Sequence, residues 1–261
     1  MTFIDSHAHL TSKNVFPQIE GILSRAQQAG VSAIVNICTD RETLQNGLKL
    51  HESTPWVYNS ASTTPHDVEK EGAEVFPLVV EQAKSGNLVA IGETGLDYHY
   101  THSPVETQKT YLRKYLHLAL ECNLPVIIHC RDAFSDFFEI LDQEYVVQGR
   151  HAPGVLHCFT GTVAEAEEVV ARGWYLSLSG IVTFKKSLVL QEVAKRVPLE
   201  NLLIETDTPY LAPQSRRGHP NEPAFLIETA SCIAAFKQLT INEIANSTSN
   251  NAKALFKINA A

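Results

Sequence analysis

His7 and His9 stand two residues apart in Phe3-Ile-Asp-Ser-His-Ala-His9. On an extended chain, side chains two apart share a face, so both imidazoles aim at one point. Two neutral imidazoles so aimed begin a site for a divalent metal. Elsewhere, apolar runs end in further ligand types. Glu93 closes Leu88-Val-Ala-Ile-Gly-Glu93, His129 closes Pro125-Val-Ile-Ile-His129, and His157 closes Gly154-Val-Leu-His157. Glu205 and Asp207 close Leu202-Leu-Ile-Glu-Thr-Asp207, again at the spacing of one strand face.

Four histidines and two carboxylates suit two divalent ions, Mg, Mn or Zn, held by nitrogen and oxygen. The expected division puts His7, His9, Glu93 and Asp207 around one ion, and Glu93, His129 and His157 around the other. Glu93 then bridges, which needs a side chain with two ligating oxygens. Such a pair, about 3.5–4 Å apart, activates water at neutral pH and clamps the oxygens of an in-line displacement. Asp207 is expected to take the proton of the attacking water. Glu205 is expected to orient a ligand from behind.

These residues need a frame that brings strand ends together. The hydrophobic pattern predicts strands at Thr2–Asp5, Ala33–Cys38, Trp56–Ala61, Leu88–Glu93, Val126–Cys130, Val155–Phe159, Tyr175–Ser179 and Leu202–Asp207. Helical patterns lie between them, among them Ile19–Ala29, Gly72–Lys84, Glu106–Glu121, Ala164–Arg172 and Leu188–Arg196. Pro223–Phe236 and Ile241–Phe256 follow the last strand. Capping boxes are expected at Thr39-Asp-Arg-Glu42, Ser103-Pro-Val-Glu106, Thr162-Val-Ala-Glu165 and Thr240-Ile-Asn-Glu243. Eight βα units in alternation predict an α/β fold, the parallel (β/α)8 TIM barrel, with chemistry at the C-terminal ends of its strands. With no linker-like stretch and no repeat, residues 1–261 are expected to form one domain.

Composition narrows the class. A hydrophobic share of 44% and a charged share of 19% are those of a globular protein with a large core. The net charge of −8 argues against a broad basic nucleic-acid surface, although cations in a cleft can still draw in phosphate. Five scattered cysteines without a CxxC, no secretory leader and no membrane-length apolar run predict a cytoplasmic protein. Cys130 and Cys158 each follow a histidine and are expected to face away from it. No obligate protein partner is evident.

Substrate contacts are expected on the loops crowning the strand ends: Thr64, His66 and Asp67 after the third strand, His99 after the fourth, and Arg131 after the fifth. Lys185-Lys186 follow the seventh strand, and Arg216-Arg217 follow the eighth. An arginine there could hold a phosphate bidentately. Tyr98, Tyr100, Phe159 and Phe184 are candidates for stacking on bases.

The ordered motifs resemble the TatD family of metal-dependent deoxyribonucleases, within the amidohydrolase-like barrels. Those motifs are Phe3-Ile-Asp-Ser-His-Ala-His9, Ile91-Gly-Glu-Thr-Gly-Leu-Asp-Tyr-His99, Pro125-Val-Ile-Ile-His-Cys-Arg-Asp132, Leu156-His-Cys-Phe-Thr-Gly161, Leu203-Ile-Glu-Thr-Asp-Thr-Pro-Tyr-Leu211, Arg217-Gly and Asn221-Glu-Pro-Ala224. The resemblance implies a TIM barrel with one to three divalent ions, the same six ligands, and exonuclease or phosphodiesterase activity on DNA. One departure stands out. The family usually reads Gly-x-His-Pro-His where this chain has Ser62-Thr-Thr-Pro-His66, so Thr64 occupies the place of an imidazole. Phosphodiester cleavage at single-stranded DNA ends is the leading expectation. The alternatives are a D-aminoacyl-tRNA deacylase, or another ester or amide hydrolase of this barrel class, and a metal- or nucleic-acid-binding barrel with little catalysis.

Overall fold

A computed structural model describes residues 2–100 and 102–259. Among them, eight parallel strands form one sheet in chain order. They are β1 (Phe3–Ala8), β2 (Val31–Cys38), β3 (Val57–Ala61), β4 (Ala90–Asp97), β5 (Val126–Arg131), β6 (Gly154–Leu156), β7 (Tyr175–Leu178) and β8 (Leu202–Ile204). The ends of β8 and β1 meet through the amide of Asp207 on the carbonyl of His7 (2.9 Å) and the amide of His9 on that of Thr208 (2.8 Å). This contact closes the sheet into the single-domain (β/α)8 barrel that the alternation predicts, with the site residues at the seam.

The helices wrap the sheet: α1 (Ile19–Gln28), α2 (Arg41–Ser53), α3 (Val68–Lys84), α4 (Val105–Cys122), α5 (Phe134–Glu144), α6 (Val163–Ala171), α7 (Leu188–Arg196), α8 (Leu226–Lys237) and α9 (Ile241–Phe256). The pleat divides their apolar partners. Along β2, Ala33, Val35 and Ile37 join an inner cluster with Ile4, Ala90, Ile127, Val155 and Leu203. Ile34 and Cys38 join the larger outer layer under the helices. Where a strand is regular, this alternation tells which way its last residues point.

The capping boxes at Thr162 and Thr240 form as expected. The one at α2 lies a residue later, between Asp40 and Thr43. At α4 the cap position is Pro104, which has no side-chain cap bond. Ser103 instead donates its hydroxyl to the carbonyl of His66 (2.7 Å) and accepts the amide of Glu69 (3.2 Å). It ties the loop after β4 to the loop after β3.

Several boundaries move. β1 runs on to Ala8 and β4 to Asp97, because ladder pairing with the neighbouring strand continues past the apolar run, as far as Asp97 opposite Arg131. β8 stops at Ile204, and α3 starts a turn early, at Val68. A small antiparallel hairpin, Val146–Val147 with Arg150–His151, carried no apolar alternation to foretell it. Among the described residues, no single helix is long and apolar enough to cross a membrane.

Candidate metal centre

Three strands deliver their ligands by simple alternation from the inner cluster. Ile127 faces in and so does His129, two further on. Val155 leads to His157 in the same way, and Leu203 leads to Glu205 and Asp207. The other two need help. Alternation from the inward Ala90 would send Glu93 toward the helices, and from Ile4 would do the same to His7. Register shifts between Ile91 and Thr94, and between Asp5 and Ala8, turn both residues inward.

The irregular β4 hugs β5 because it carries glycines. A Cβ on Gly92 (φ +148) would lie 2.4 Å from the carbonyl oxygen of Ile127, and one on Gly95 (φ +146) only 1.8 Å from that of His129. Asp5, left on the outer side of the seam, accepts both the amide (3.0 Å) and the hydroxyl (2.6 Å) of Thr206. Burial pushes its carboxyl up to about 7, against those hydrogen bonds.

Glu93 occupies the middle of the resulting cluster. Its Oε2 lies 3.3 Å from Nε2 of His7 and 3.5 Å from Nε2 of His9. Its Oε1 lies 3.0 Å from Nε2 of His157 and 3.2 Å from Nδ1 of His129. Asp207 Oδ1 completes the first group at 3.7 Å from His7 and 3.5 Å from His9. Ligands about 2.1 Å from a four-coordinate ion are separated by about 3.4 Å, so both groups have the right spread. The ligand atoms of His7, His9 and Asp207 lie within 4.8 Å of one another, and so do those of Glu93, His129 and His157. The structure thus brings all six expected ligands together.

The charges suit cations. Burial favours a neutral Glu93, yet the surrounding His157, His129 and His7 hold its carboxyl well below the usual range. Burial likewise opposes charge on His157, but Glu93 and Glu205 raise it well above an ordinary imidazole. In His7, burial and the charge of His157 win, and its pKa falls. The rings of His7 and His157 stack with centroids 3.8 Å apart. Glu205 lies beneath, fully buried, with one oxygen 3.5 Å from Nδ1 of His157 and the other accepting the hydroxyl of Ser177. It touches His157 on the ring nitrogen turned away from Glu93.

Asp97 belongs to this site although the apolar pattern does not mark it. It lies wholly inside, with Oδ2 2.7 Å from Nε2 of His129 and 3.6 Å from Nε2 of His66. Its backbone position on a strand extended past the apolar run hid it. The signal available was its acid type four residues after Glu93.

Above the centre opens a cleft of about 910 Å³. Thr64, His66 and Arg131 line it, and so do Lys13, Asp67, Tyr100 and Tyr210. Thr64 donates its hydroxyl to Asp67 Oδ2 at 3.0 Å. Cys158 lines it too, against expectation. The strand has ended by then and φ is +43°, so alternation no longer applies.

The family model for TatD related DNase matches residues 4–257. The chain belongs to the TatD family. An uncharacterized metal-dependent hydrolase of Bacillus subtilis, YabD, is 40% identical over 256 residues, covering 98% of this chain and 99% of that protein. The protein named 3'-5' ssDNA/RNA exonuclease TatD in Escherichia fergusonii is 36% identical over 260 residues, covering 97% and 98%. The crystal structure of the TatD homolog YjjV from Escherichia coli superposes with a TM-score of 0.92 at 28% identity, covering 98% of each chain. This TatD-family chain is thus a metal-dependent hydrolase.

Two expected substrate contacts of this TatD-family chain stand elsewhere. His99 is absent from the cleft wall and lies 3.5 Å from Asp132. Arg217 lays its guanidinium over Phe184, 4.6 Å from the ring centroid, outside the wall. That contact also covers Phe184. Phe159 is buried, and the Tyr98 hydroxyl donates to Asp136 (2.7 Å). Of the four stacking candidates, Tyr100 alone is among the residues lining the cleft.

Proposed function

We propose that this chain hydrolyses phosphodiester bonds at single-stranded ends of DNA. The observation that carries the reading is Glu93, whose two oxygens each face a separate group of ligands. His7, His9, Glu93 and Asp207 would hold one divalent ion, and Glu93, His129 and His157 the other. Bound there, such ions would lower the pKa of a water toward neutrality and offset charge on a phosphate.

The chain's own residues do the rest. Asp207, at the floor of the cleft, accepts the proton of the attacking water. Glu205 and Asp97 fix the ring orientations of His157 and His129. Arg131 and Lys13, on the cleft wall, meet the phosphate oxygens. His66, beside Asp97 on the cleft wall, is the side chain offered to the leaving group. Few cations line the wall, in keeping with a net charge of −8 and with a strand end instead of a long duplex as substrate. The name of the Escherichia fergusonii relative points the same way. Five free cysteines suit work in the reducing cytoplasm.

The test is hydrolysis of end-labelled single-stranded oligonucleotides by metal-stripped protein, titrated with Mg, Mn and Zn, with Glu93→Gln as control. Metal-dependent release of mononucleotides that the variant cannot perform is the expected result. Metal-loaded protein that leaves DNA intact but cleaves a D-aminoacyl-tRNA ester would replace the reading with ester hydrolysis.

A further inference from the structure

Two large aromatic side chains stay open to solvent at the mouth of the cleft: Tyr100, 45% exposed, and Tyr210, 56% exposed. Tyr100 follows β4 and Tyr210 follows β8, four strands apart in a closed sheet of eight. The rings therefore rise from opposite walls.

A run of ring contacts joins them across the metal centre. Centroids are 5.6 Å apart for Tyr100–His66, 5.3 Å for His66–His129 and 5.7 Å for His129–His157. The run continues at 3.8 Å for His157–His7, 5.1 Å for His7–His9 and 5.8 Å for His9–Tyr210.

Both rings have fixed backbones and free tips. The amide of Tyr100 donates to Asp97 Oδ1 at 2.8 Å, and that of Tyr210 to the carbonyl of Asp207 at 2.7 Å. Asn221 further holds the carbonyl of Tyr210 at 2.8 Å. Among the described residues neither hydroxyl has a hydrogen-bond partner, whereas the hydroxyls of Tyr98, Tyr115 and Tyr145 are all engaged. Arg131 lies over Tyr100, 5.0 Å from its centroid, and His102 runs parallel to the ring at 5.8 Å, so an incoming base extends a stack that already exists.

We propose that Tyr100 and Tyr210 are base-stacking platforms on the two sides of the centre, so that the cleft takes two adjacent unpaired nucleotides with the scissile phosphate between them. This rests on the nucleic-acid reading above. An acidic protein with two cations on its cleft wall gains little from phosphate contacts. Stacking supplies affinity without positive charge and tolerates any base, since every base has a flat face. It also demands a free face, which a base inside a duplex lacks until the end frays. The two rings thus select for single strands.

The experiment measures kcat and KM of the metal-loaded enzyme on short single-stranded oligonucleotides. The substrates are intact, abasic at the terminal nucleotide of the attacked end, or abasic at the next one. Each lost base is expected to raise the wild-type KM by about tenfold. Tyr100→Ala and Tyr210→Ala each raise KM by a similar factor on intact substrate, and Tyr→Phe at either position restores it. The Ala penalty of each ring vanishes on one abasic substrate, a different one for each. Cleavage with the same KM on intact and abasic strands overturns the stacking and leaves the nuclease reading standing, as does an Ala penalty that persists unchanged on both abasic substrates. No cleavage of any oligonucleotide by enzyme shown to hold its metals overturns both.

Discussion

Asp97 Oδ2 lies 2.7 Å from Nε2 of His129, and this contact decides which nitrogen of His129 faces the metal centre. With Nε2 donating to the carboxylate, Nδ1 is left as the lone-pair donor, 3.2 Å from Glu93 Oε1. Burial would raise Asp97, but His129 and the amide of Tyr100 hold it down at about 2, so it stays charged at any working pH. Carboxylates behind a ligating histidine typically contribute about 10–100-fold in metal affinity. Asp97→Asn is therefore expected to weaken the ion at Glu93, His129 and His157 by that factor while leaving the one at His7, His9 and Asp207 near normal. Metal titration that shows two unchanged affinities would remove this role.

The sequence exposed the barrel and the ligand set for one reason: where a strand is regular, the pleat carries the inner face straight to its end. Ile127 to His129, Val155 to His157 and Leu203 to Asp207 follow that rule. Glu93 and His7 were found as ends of apolar runs, yet the register shifts that turn them inward leave no mark in the pattern. Asp97 was hidden because β4 outlasts its apolar run. His99 and Arg217 looked like substrate contacts by loop position alone, and loop position does not say what a long side chain meets. Arg217 finds Phe184 and His99 finds Asp132.

Metal binding should depend on pH in a definite direction. In His9 and His129, burial works against the charged ring, but the nearby carboxylates outweigh it and raise both from the ordinary 6.5, as they do His157. A group whose folded pKa is raised adds stability below its unfolded value and loses it as pH climbs through the folded one. Glu93, lowered from 4.5, adds stability above that value and loses it in acid. The metal-free centre thus stabilises the fold best between those ordinary values, and an ion must expel the imidazole protons to bind. The thermal shift on adding Mn or Zn is expected to grow from about pH 6 to about pH 8, with protons released on binding. A shift that shrinks over that range would contradict the ligand assignment.

Thr64 stands where the family resemblance implies an imidazole, next to the lining residue His66, and it spends its hydroxyl on Asp67 at 3.0 Å. A threonine can orient Asp67 but cannot carry a positive charge or donate a catalytic proton. Thr64→His restores both possibilities without touching a ligand. Proton donation by a positioned imidazole contributes about 10²–10⁴-fold where a leaving group needs it. The variant is expected to gain at least about tenfold in kcat, with metal stoichiometry unchanged. Unaltered kinetics would mean that His66 already supplies the proton.

Gly95 is the tightest point of the frame. Its φ of +146° is one that side chains rarely adopt, and a Cβ there would sit 1.8 Å from the carbonyl oxygen of His129. That oxygen is backbone, so it cannot swing aside as a flexible side chain would. Gly95→Ala must therefore push β4 away from β5, across the pairing of Gly95 with His129 itself. Strain of this kind together with a displaced strand is expected to cost about 3 kcal/mol or more. Gly86→Ala makes the control, since its φ is also positive but nothing lies within 4 Å of its added Cβ. Urea unfolding should show a small loss for Gly86→Ala and a large one for Gly95→Ala. Because the displaced strand carries both Glu93 and Asp97, whatever Gly95→Ala protein still folds should hold its metals more weakly than wild type. Equal stabilities for the two variants would mean that β4 can retreat from β5 freely, and that the close approach is not what fixes Glu93 in the centre.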